Sequence, residues 1–344
     1  GEVAGSLNVL LREIEMSGVA IPFGAVADVH IEPGFRGRGY GMALLGDAVE
    51  YMRSLGCALS LLYSDKHGFY GEAGWRPAPR PFFVLDTSTP DFPVPPRYSV
   101  KKIETGDALS VLREMCGDEE GRYDGCTRRT AEYWEGLRQW YFTRNPSCYA
   151  AYEKGAPVAV CTLENQKSRL DFHECRRLPG HDESPKNLLL AALQEARNRG
   201  LDVVTGVLPE THPVAVKMIL LGGRKETDTN LMGRVIDLEL LREKLCGIAT
   251  TRFTDRPQPA PGVYSMEIGG EGRMDFRMDG SGHVAPARDG RKSVVESLSI
   301  DAGEFITRLM GISAFHGDAY TETGPFFGTL LMATDSVFWD ADRF

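Results

Sequence analysis

The sequence lacks the closely spaced cysteine pairs that mark zinc sites and disulfide frameworks. Its seven cysteines are scattered singly along 344 residues, with no CxxC pair among them. Free cysteine behaves as a small buried hydrophobe, and disulfides are rare in the cytosol. We therefore expect reduced, buried thiols and no metal site.

Long apolar runs and an excess of positive charge are also missing. No apolar run reaches the roughly 18 residues of a membrane span, and the chain does not open with a signal peptide. There are 39 Lys and Arg against 48 Asp and Glu, a net charge of −9, which disfavours a phosphate backbone as partner. We expect a cytoplasmic protein that binds small molecules, with neither nucleic acid nor membrane as partner.

The length predicts two or three domains, because 344 residues exceed what one hydrophobic core usually organises. Seven prolines lie between Pro77 and Pro96. The second cluster, PDFPVPPR, is the best candidate for a linker.

The first 85 residues have the pattern of a βαβ unit. The opening GEVAGSLNVL and the segment 25–31 resemble strands, and a further strand is expected over 58–63. Apolar residues recur at helical spacing between Leu45 and Leu55, and Gly56 is placed to end that helix. Such a unit places a binding site at the carboxyl ends of its strands.

The second part of the chain repeats this layout without the glycines. LLLAALQEARNRGLDVVTGVL has the helix, glycine, strand order of MALLGDAVEYMRSLGCALSLL. We interpret it as a duplicated domain whose cofactor site has been lost. From about Cys246 the pattern changes to alternating strands followed by a helix around 304–310, which indicates an α+β fold.

The segment VHIEPGFRGRGYGMALL joins a strand to a helix through a glycine-rich turn. Gly37, Gly39 and Gly41 let successive backbone N–H groups face one point, and a helix N-terminus adds positive potential there. Arg36 and Arg38 add full charges. The spacing RxxGxG is neither GxGxxG nor GxxxxGK[ST], so the turn favours a diphosphate other than that of NAD or ATP.

These residues resemble motif A of the GCN5-related N-acetyltransferases (GNAT), over roughly residues 1–85. The resemblance implies acetyl-CoA as co-substrate, a splayed strand whose backbone holds the pantetheine arm, and a tyrosine near the thioester sulfur, matched by Tyr70 in HGFYGEAGW. The coenzyme-binding residues it implies are Val29, Ile31, Arg36, Gly37, Arg38, Gly39, Tyr40, Gly41 and Ser64.

The whole chain resembles the enhanced intracellular survival (Eis) acetyltransferase family. That resemblance implies a mixed α/β and α+β protein: a GNAT domain at 1–90, beginning at the family's second strand without the preceding strand and helices, a degenerate GNAT domain at 97–240, and a sterol-carrier-like domain at 246–344. It also implies a hexamer. The terminal carboxylate, here on Phe344, would be the base, and the adjacent Arg343 disfavours polycationic aminoglycosides as acceptors.

Other residues keep two interpretations. His30 points to the opposite face of its strand from Val29 and Ile31, so it either lines the acceptor pocket or is structural, and His67 either contacts the cofactor or is structural. Asp28 either binds an ammonium group or is a solvated surface charge. His173 and Cys175 lie two residues apart, and without further ligands a metal site there is disfavoured.

The sequence thus predicts an acetyl-CoA-dependent N-acetyltransferase that forms a ternary complex with a small-molecule amine. Phe344 would accept the proton of the amine, and Tyr70 would protonate the leaving thiolate. The alternative is a lipid-binding or assembly protein with a vestigial GNAT site.

Overall fold

The computed structural model describes residues 2–119, 124–140, 146–254, 256–287, 294–310 and 324–331. They form two compact units, one made of residues 2–79 and 229–331 and the other of residues 80–228. All seven cysteines are free and buried, as expected. None of the described helices is both long and apolar enough to cross a membrane.

The first unit begins with the expected βαβ arrangement. The antiparallel hairpin β1–β2 leads through α1 to β3, which pairs with β2 in parallel. Gly56 follows α1 with φ of +74°, the left-handed conformation that ends a helix. The elements are β1 (Gly5–Met16), β2 (Val19–Ile31), α1 (Tyr40–Ser54), β3 (Leu59–Tyr63), α2 (His67–Glu72) and β4 (Arg76–Pro77).

The second unit repeats this layout, as the sequence predicts. A hairpin, β9–β10, leads through α5 to a parallel strand, β11. The elements are β5 (Arg80–Asp86), β6 (Ser99–Ile103), α3 (Thr105–Glu119), β7 (Cys126–Thr127), α4 (Ala131–Trp140), β8 (Ser147–Glu153), β9 (Ala156–Gln166), β10 (Arg169–Arg177), α5 (Ser184–Asn198), β11 (Val203–Val207), α6 (Pro213–Leu220) and β12 (Arg224–Asp228). Seven of its strands form one sheet in the order β12-β5-β11-β10-β9-β8-β6.

The chain then returns to the first unit. Strand β13 joins the first sheet, which runs β4-β13-β3-β2-β1 within this unit, and a smaller sheet follows in the order β16-β15-β14-β17. The elements are β13 (Leu231–Val235), α7 (Leu238–Thr254), β14 (Gly262–Gly269), β15 (Gly272–Met278), β16 (Val284–Pro286), β17 (Val294–Asp301), α8 (Ala302–Leu309) and α9 (Pro325–Leu330).

The compact units divide the chain at residues 79–80 and 228–229, and the expected domains at 1–90, 97–240 and 246–344 stay a prediction. β5 lies before the expected limit at residue 90, yet it pairs with β11 and β12 of the second unit. β13 lies inside the expected range 97–240, yet it pairs with β3 and β4. Helix α7 runs unbroken across residues 240–246. Backbone pairing of these strands, rather than the proline-rich segment, sets the limits of the units.

Candidate active site

The site begins where β2 and β3 part. Their parallel ladder pairs Phe23 to Ala25 with Leu59 to Leu61, but β2 continues to Ile31. Among the strands that the structure describes, the last residues of β2 therefore have no partner on the β3 side. This is the splayed strand that the family resemblance implies.

A bulge in β2 coincides with this separation. The register between β1 and β2 shifts between Ser6 and Asn8, and Asp28 opposite has φ of +50°. The Asn8 amide donates a hydrogen bond to the Asp28 carboxylate at 2.9 Å. A bulge bends its strand and re-aims the residues that follow, here Val29 to Ile31.

The glycine turn ends at the N-terminus of α1. Gly37 and Gly39 have φ of +71° and +82°, values that L side chains rarely adopt. Gly39 is the N-cap of α1, where no side chain accepts a hydrogen bond from the helix and no acidic residue lies in the first turn. The first-turn N–H groups are therefore available to an anion.

Gly41 faces the opposite wall of the site. A Cβ atom at this position would lie 3.0 Å from the Phe69 ring, which is closer than ordinary van der Waals contact. The turn and α2 thus approach each other at a point that only glycine fits without a shift of the ring.

Together these elements form a cleft of about 720 Å³. Eight of its lining residues were predicted from the sequence: Val29, Ile31, Arg36, Gly37, Gly39, Tyr40, Gly41 and Tyr70. His30, left open above, also lines the cleft. Four were not predicted: Phe35, Met42, Lys66 and Phe69. None of these lining residues is acidic, whereas His30, Arg36 and Lys66 are basic, so the cleft favours an anionic ligand.

Two predicted coenzyme ligands, Arg38 and Ser64, are not among the lining residues. The Arg38 guanidinium lies over the Phe35 ring, 5.9 Å from its centroid. The Ser64 hydroxyl accepts a hydrogen bond from the Lys66 N–H at 3.1 Å, which orders the turn before α2. Arg36 does line the cleft, and its Nε donates to the Ile31 carbonyl at 2.9 Å.

Tyr70 is the most deeply placed functional candidate in the cleft. It lies on α2 with 9% of its surface exposed, and its ring meets that of Phe69 edge-on at 5.0 Å. Burial raises the pKa of the Tyr70 phenol. The side chain is therefore a neutral hydrogen-bond donor at physiological pH.

The histidines singled out in the sequence differ in their surroundings. His30 is exposed and lies 3.5 Å from the Glu32 carboxylate, whereas the His67 Nε2 is buried and has no hydrogen-bond partner within the described residues. His173 lies 2.6 Å from Glu164. In the described part of the chain no group of three or more His, Cys, Asp or Glu side chains could hold a metal ion. Arg343 and Phe344 lie outside the described residues.

Sequence spacing contained a signal for two of the missed residues. Lys66 precedes Tyr70 by four positions, one helical turn, and the Tyr70 N–H donates to the Lys66 carbonyl. Phe69 is the immediate neighbour of Tyr70. Tertiary packing determines which face of the short helix α2 meets the glycine turn.

Comparison with known proteins supports the acetyltransferase interpretation of the first residues. Residues 1–78 match the acetyltransferase (GNAT) domain family. A glucosamine 6-phosphate N-acetyltransferase of Trypanosoma brucei brucei is 34% identical over 79 residues, which are 22% of this chain and 52% of that protein. The chain thus spans about half the length of this curated relative.

Solved structures resemble the chain over its full length. A GCN5-related N-acetyltransferase of Anabaena variabilis has a TM-score of 0.66 at 16% identity, covering 100% of this chain and 87% of that one. Eis1 of Mycobacterium abscessus has a TM-score of 0.63 at 13% identity, covering 100% and 89%. At such identities the likeness concerns the fold. The chain therefore shares its fold with these two solved structures, and its residues 1–78 match the acetyltransferase (GNAT) domain family.

Proposed function

We propose that the first unit binds acetyl-CoA and transfers its acetyl group to an amine. The observation that carries this proposal is the cleft in which the splayed end of β2, the uncapped N-terminus of α1 and the buried phenol of Tyr70 meet. The matches to acetyltransferases support the same reaction.

We propose one orientation of the coenzyme in this cleft. Its diphosphate is held by the first-turn N–H groups of α1 behind Gly39, together with the Arg36 guanidinium. The pantetheine arm lies along Val29 and Ile31, whose backbone groups face away from any strand partner on that side. In the proposed arrangement the thioester lies beside Tyr70.

The reaction is a direct displacement in a ternary complex. The neutral amine attacks the thioester carbonyl, a C–N bond forms and the C–S bond breaks, and the Tyr70 hydroxyl protonates the leaving thiolate. Holding both substrates in one cleft supplies much of the rate. The proton of the amine passes to the terminal carboxylate of Phe344.

The acceptor is a small-molecule amine. The Trypanosoma relative is named for an amino sugar phosphate, which makes glucosamine 6-phosphate the first acceptor to test. Aminoglycosides serve as the comparison acceptors. The described lining residues of the cleft include basic and no acidic side chains, which disfavours the multiple positive charges of an aminoglycoside.

The proposal is tested by thiol release from acetyl-CoA in the presence of glucosamine 6-phosphate, an aminoglycoside, a polyamine and a lysine peptide. We expect turnover with at least one amine. Adding one residue after Phe344 should then lower kcat by about 100-fold or more, since general-base catalysis contributes on that order. An unchanged rate in the extended protein would remove the carboxylate from the mechanism, and no turnover with any amine would remove the transferase.

The assembly proposed from family resemblance is a homo-oligomer, in particular a hexamer. Light scattering at several protein concentrations measures it directly. A monomer at all concentrations would contradict this part of the proposal.

A further inference from the structure

We propose that Arg234, on β13, is a positioning residue for Tyr70, because its guanidinium holds the C-terminal end of the short helix that carries this tyrosine. The inference rests on the proposed function, in which Tyr70 is the acid of the transfer step. Arg234 is not among the residues that line the cleft. It therefore acts through α2 rather than on either substrate.

Helix α2 depends on support from the rest of the first unit. It has six residues, and a helix this short is not stable in water by itself. The last carbonyl groups of any helix also lack partners within the helix. Tyr70 lies two residues before the final residue, Glu72, so the groups that bind this last turn set the position of the phenol.

Residues that directly follow α2 bind two of these carbonyl groups. The Tyr70 carbonyl accepts a hydrogen bond from the Trp75 N–H at 3.0 Å, and the Gly71 carbonyl accepts one from the Arg76 guanidinium at 2.8 Å. The Trp75 side chain is fully buried, and its Nε1–H donates to the Ser60 hydroxyl on β3 at 3.2 Å. The indole thereby anchors the end of α2 to the sheet.

Arg234 binds the same end of α2 from a strand that is distant in the sequence. Its guanidinium donates a hydrogen bond to the Ala73 carbonyl and lies over the Trp75 ring, 5.2 Å from the centroid. Gly74 has φ of +91°, and a Cβ atom there would lie 3.1 Å from the guanidinium carbon, closer than ordinary van der Waals contact. The guanidinium thus packs directly on the backbone that follows α2, where a positive charge complements the helix dipole.

The hairpin β14–β15 presents a carboxyl group to this arrangement. Glu271, between the two strands, interacts electrostatically with Arg234 and Arg76. Burial raises the pKa of the Glu271 carboxyl above its ordinary value of 4.5, and the two guanidinium groups oppose that rise. Arg234 therefore has interactions with α2 on one side and with this hairpin on the other.

The first experiment measures thiol release and acetyl-CoA affinity in two arginine variants. We expect Arg234→Gln to lower kcat by about 10-fold, part of the roughly 100-fold that a misplacement of about 1 Å can cost. The calorimetric affinity for acetyl-CoA should not change. Arg53→Gln is the matched control, because the Arg53 guanidinium donates to the Ile236 carbonyl at 3.1 Å but does not bind α2, and its kcat should equal that of the wild type. Arg234→Lys keeps the charge and should lie between Arg234→Gln and the wild type.

A double-mutant cycle with Tyr70→Phe separates positioning from a general loss of structure. If Arg234 acts through the Tyr70 hydroxyl, adding Arg234→Gln to Tyr70→Phe should change kcat by less than about 2-fold, since the group that it positions is already gone. Independent effects would instead multiply to a loss of about 1,000-fold. Arg76→Gln removes the contact to the Gly71 carbonyl and enters the same cycle, which decides the question should Arg234→Gln fail to fold.

Two outcomes would overturn the positioning role: an unchanged kcat in Arg234→Gln, or multiplied losses in the double variant. The proposed function fails in a different way. Absence of thiol release by the wild type with every amine, or equal rates in Tyr70→Phe and the wild type, would count against the transferase or its acid. An active protein that needs the Tyr70 hydroxyl but not Arg234 would refute the positioning role alone.

Discussion

Tyr70 is the residue on which the proposed proton transfer to the coenzyme depends. Replacing it with phenylalanine removes the hydroxyl and keeps the ring packing against Phe69. We expect Tyr70→Phe to lower kcat by about 100-fold, the lower range for general acid catalysis, with unchanged affinity for acetyl-CoA. Tyr51→Phe, at a tyrosine that is 55% exposed on α1, is the matched control in the thiol-release assay. Equal rates in the two variants would exclude Tyr70 as the acid.

The raised pKa of Tyr70 also predicts a pH dependence. Because burial raises this pKa above the ordinary value of 10.0, the phenol stays protonated in the folded protein where a free tyrosine would ionise. Its contribution to stability is full below pH 10 and is lost as the pH rises through the higher, folded-state pKa. The alkaline limb of kcat assigned to Tyr70 should therefore lie above pH 10 and be missing from Tyr70→Phe. A limb near neutral pH that disappears in this variant would contradict the assignment.

For individual residues, the sequence predicted the glycine turn and Tyr70 but not the cleft residues Lys66 and Phe69. The RxxGxG turn can be recognised from a short stretch of sequence, because its backbone conformations are ones that glycine alone adopts easily. The Ser64 hydroxyl accepts a hydrogen bond within the turn before α2 and does not line the cleft, whereas Lys66 does. The spacing of residues in the sequence does not predict this difference in packing.

Helix α1, whose N-terminus is proposed to bind the diphosphate, also contains a glycine that its surroundings do not require. Gly46 is exposed in mid-helix, and a Cβ atom there would meet no atom within 4 Å. Gly46→Ala should raise the free energy of unfolding by about 0.5–1 kcal/mol, because alanine loses less conformational entropy in a helix. Urea unfolding measures this, and coenzyme affinity should not change. A destabilised variant would show that the helix surface is not open at this position.

Helix α9 is held at both ends by charged side chains. The Glu296 carboxylate accepts hydrogen bonds from the N–H groups of Phe326 and Phe327 at 3.2 and 3.0 Å. The Arg252 guanidinium donates to the carbonyls of Leu330 and Thr329 at 2.6 and 3.3 Å. Both charges complement the helix dipole, negative at the N-terminus and positive at the C-terminus.

Loss of the Arg252 guanidinium should therefore lower the free energy of unfolding. Arg252 is 8% exposed, so Arg252→Met leaves two carbonyls without this donor, and we expect the free energy of unfolding to fall by about 2–3 kcal/mol. Arg308 makes an i,i+4 ion pair with Glu304 on α8, and Arg308→Met should cost less than about 1 kcal/mol. Equal losses in the two variants by thermal or urea unfolding would contradict the role given to Arg252.

For the molecule as a whole, the βαβ layout and its repeat were predictable and the division into units was not. Periodicity and glycine punctuation are properties of neighbouring residues, which is why α1 and α5 were predicted. The assignment of β5 to the second unit and of β13 to the first depends on pairing between distant strands. The assignment of residues 246–344 to a sterol-carrier-like fold stays a prediction.

Acid should destabilise the second unit through Glu195. Burial alone would raise the pKa of this carboxyl, but hydrogen bonds from Lys102, Tyr149, Arg199 and Ser147 outweigh it and lower the pKa to about 2. The stability contributed by the lowered pKa is present above the ordinary value of 4.5 and is lost as the pH falls toward about 2. Unfolding measured across this range should show a smaller pH dependence in Glu195→Gln. An identical dependence would exclude Glu195 as its source.

In the proposed function the backbone N–H groups behind Gly39 bind the diphosphate of acetyl-CoA. Calorimetric titration of the wild type, Gly39→Ala and Gly34→Ala with acetyl-CoA tests it most directly. Alanine is strained at the φ of +82° of Gly39, whereas Gly34 in the same loop has no positive φ and open space at its Cβ position. We predict one site in the wild type and in Gly34→Ala, and affinity at least about 10-fold weaker in Gly39→Ala, the equivalent of 1.4 kcal/mol. Equal affinities in all three proteins, or no binding by the wild type, would contradict the account.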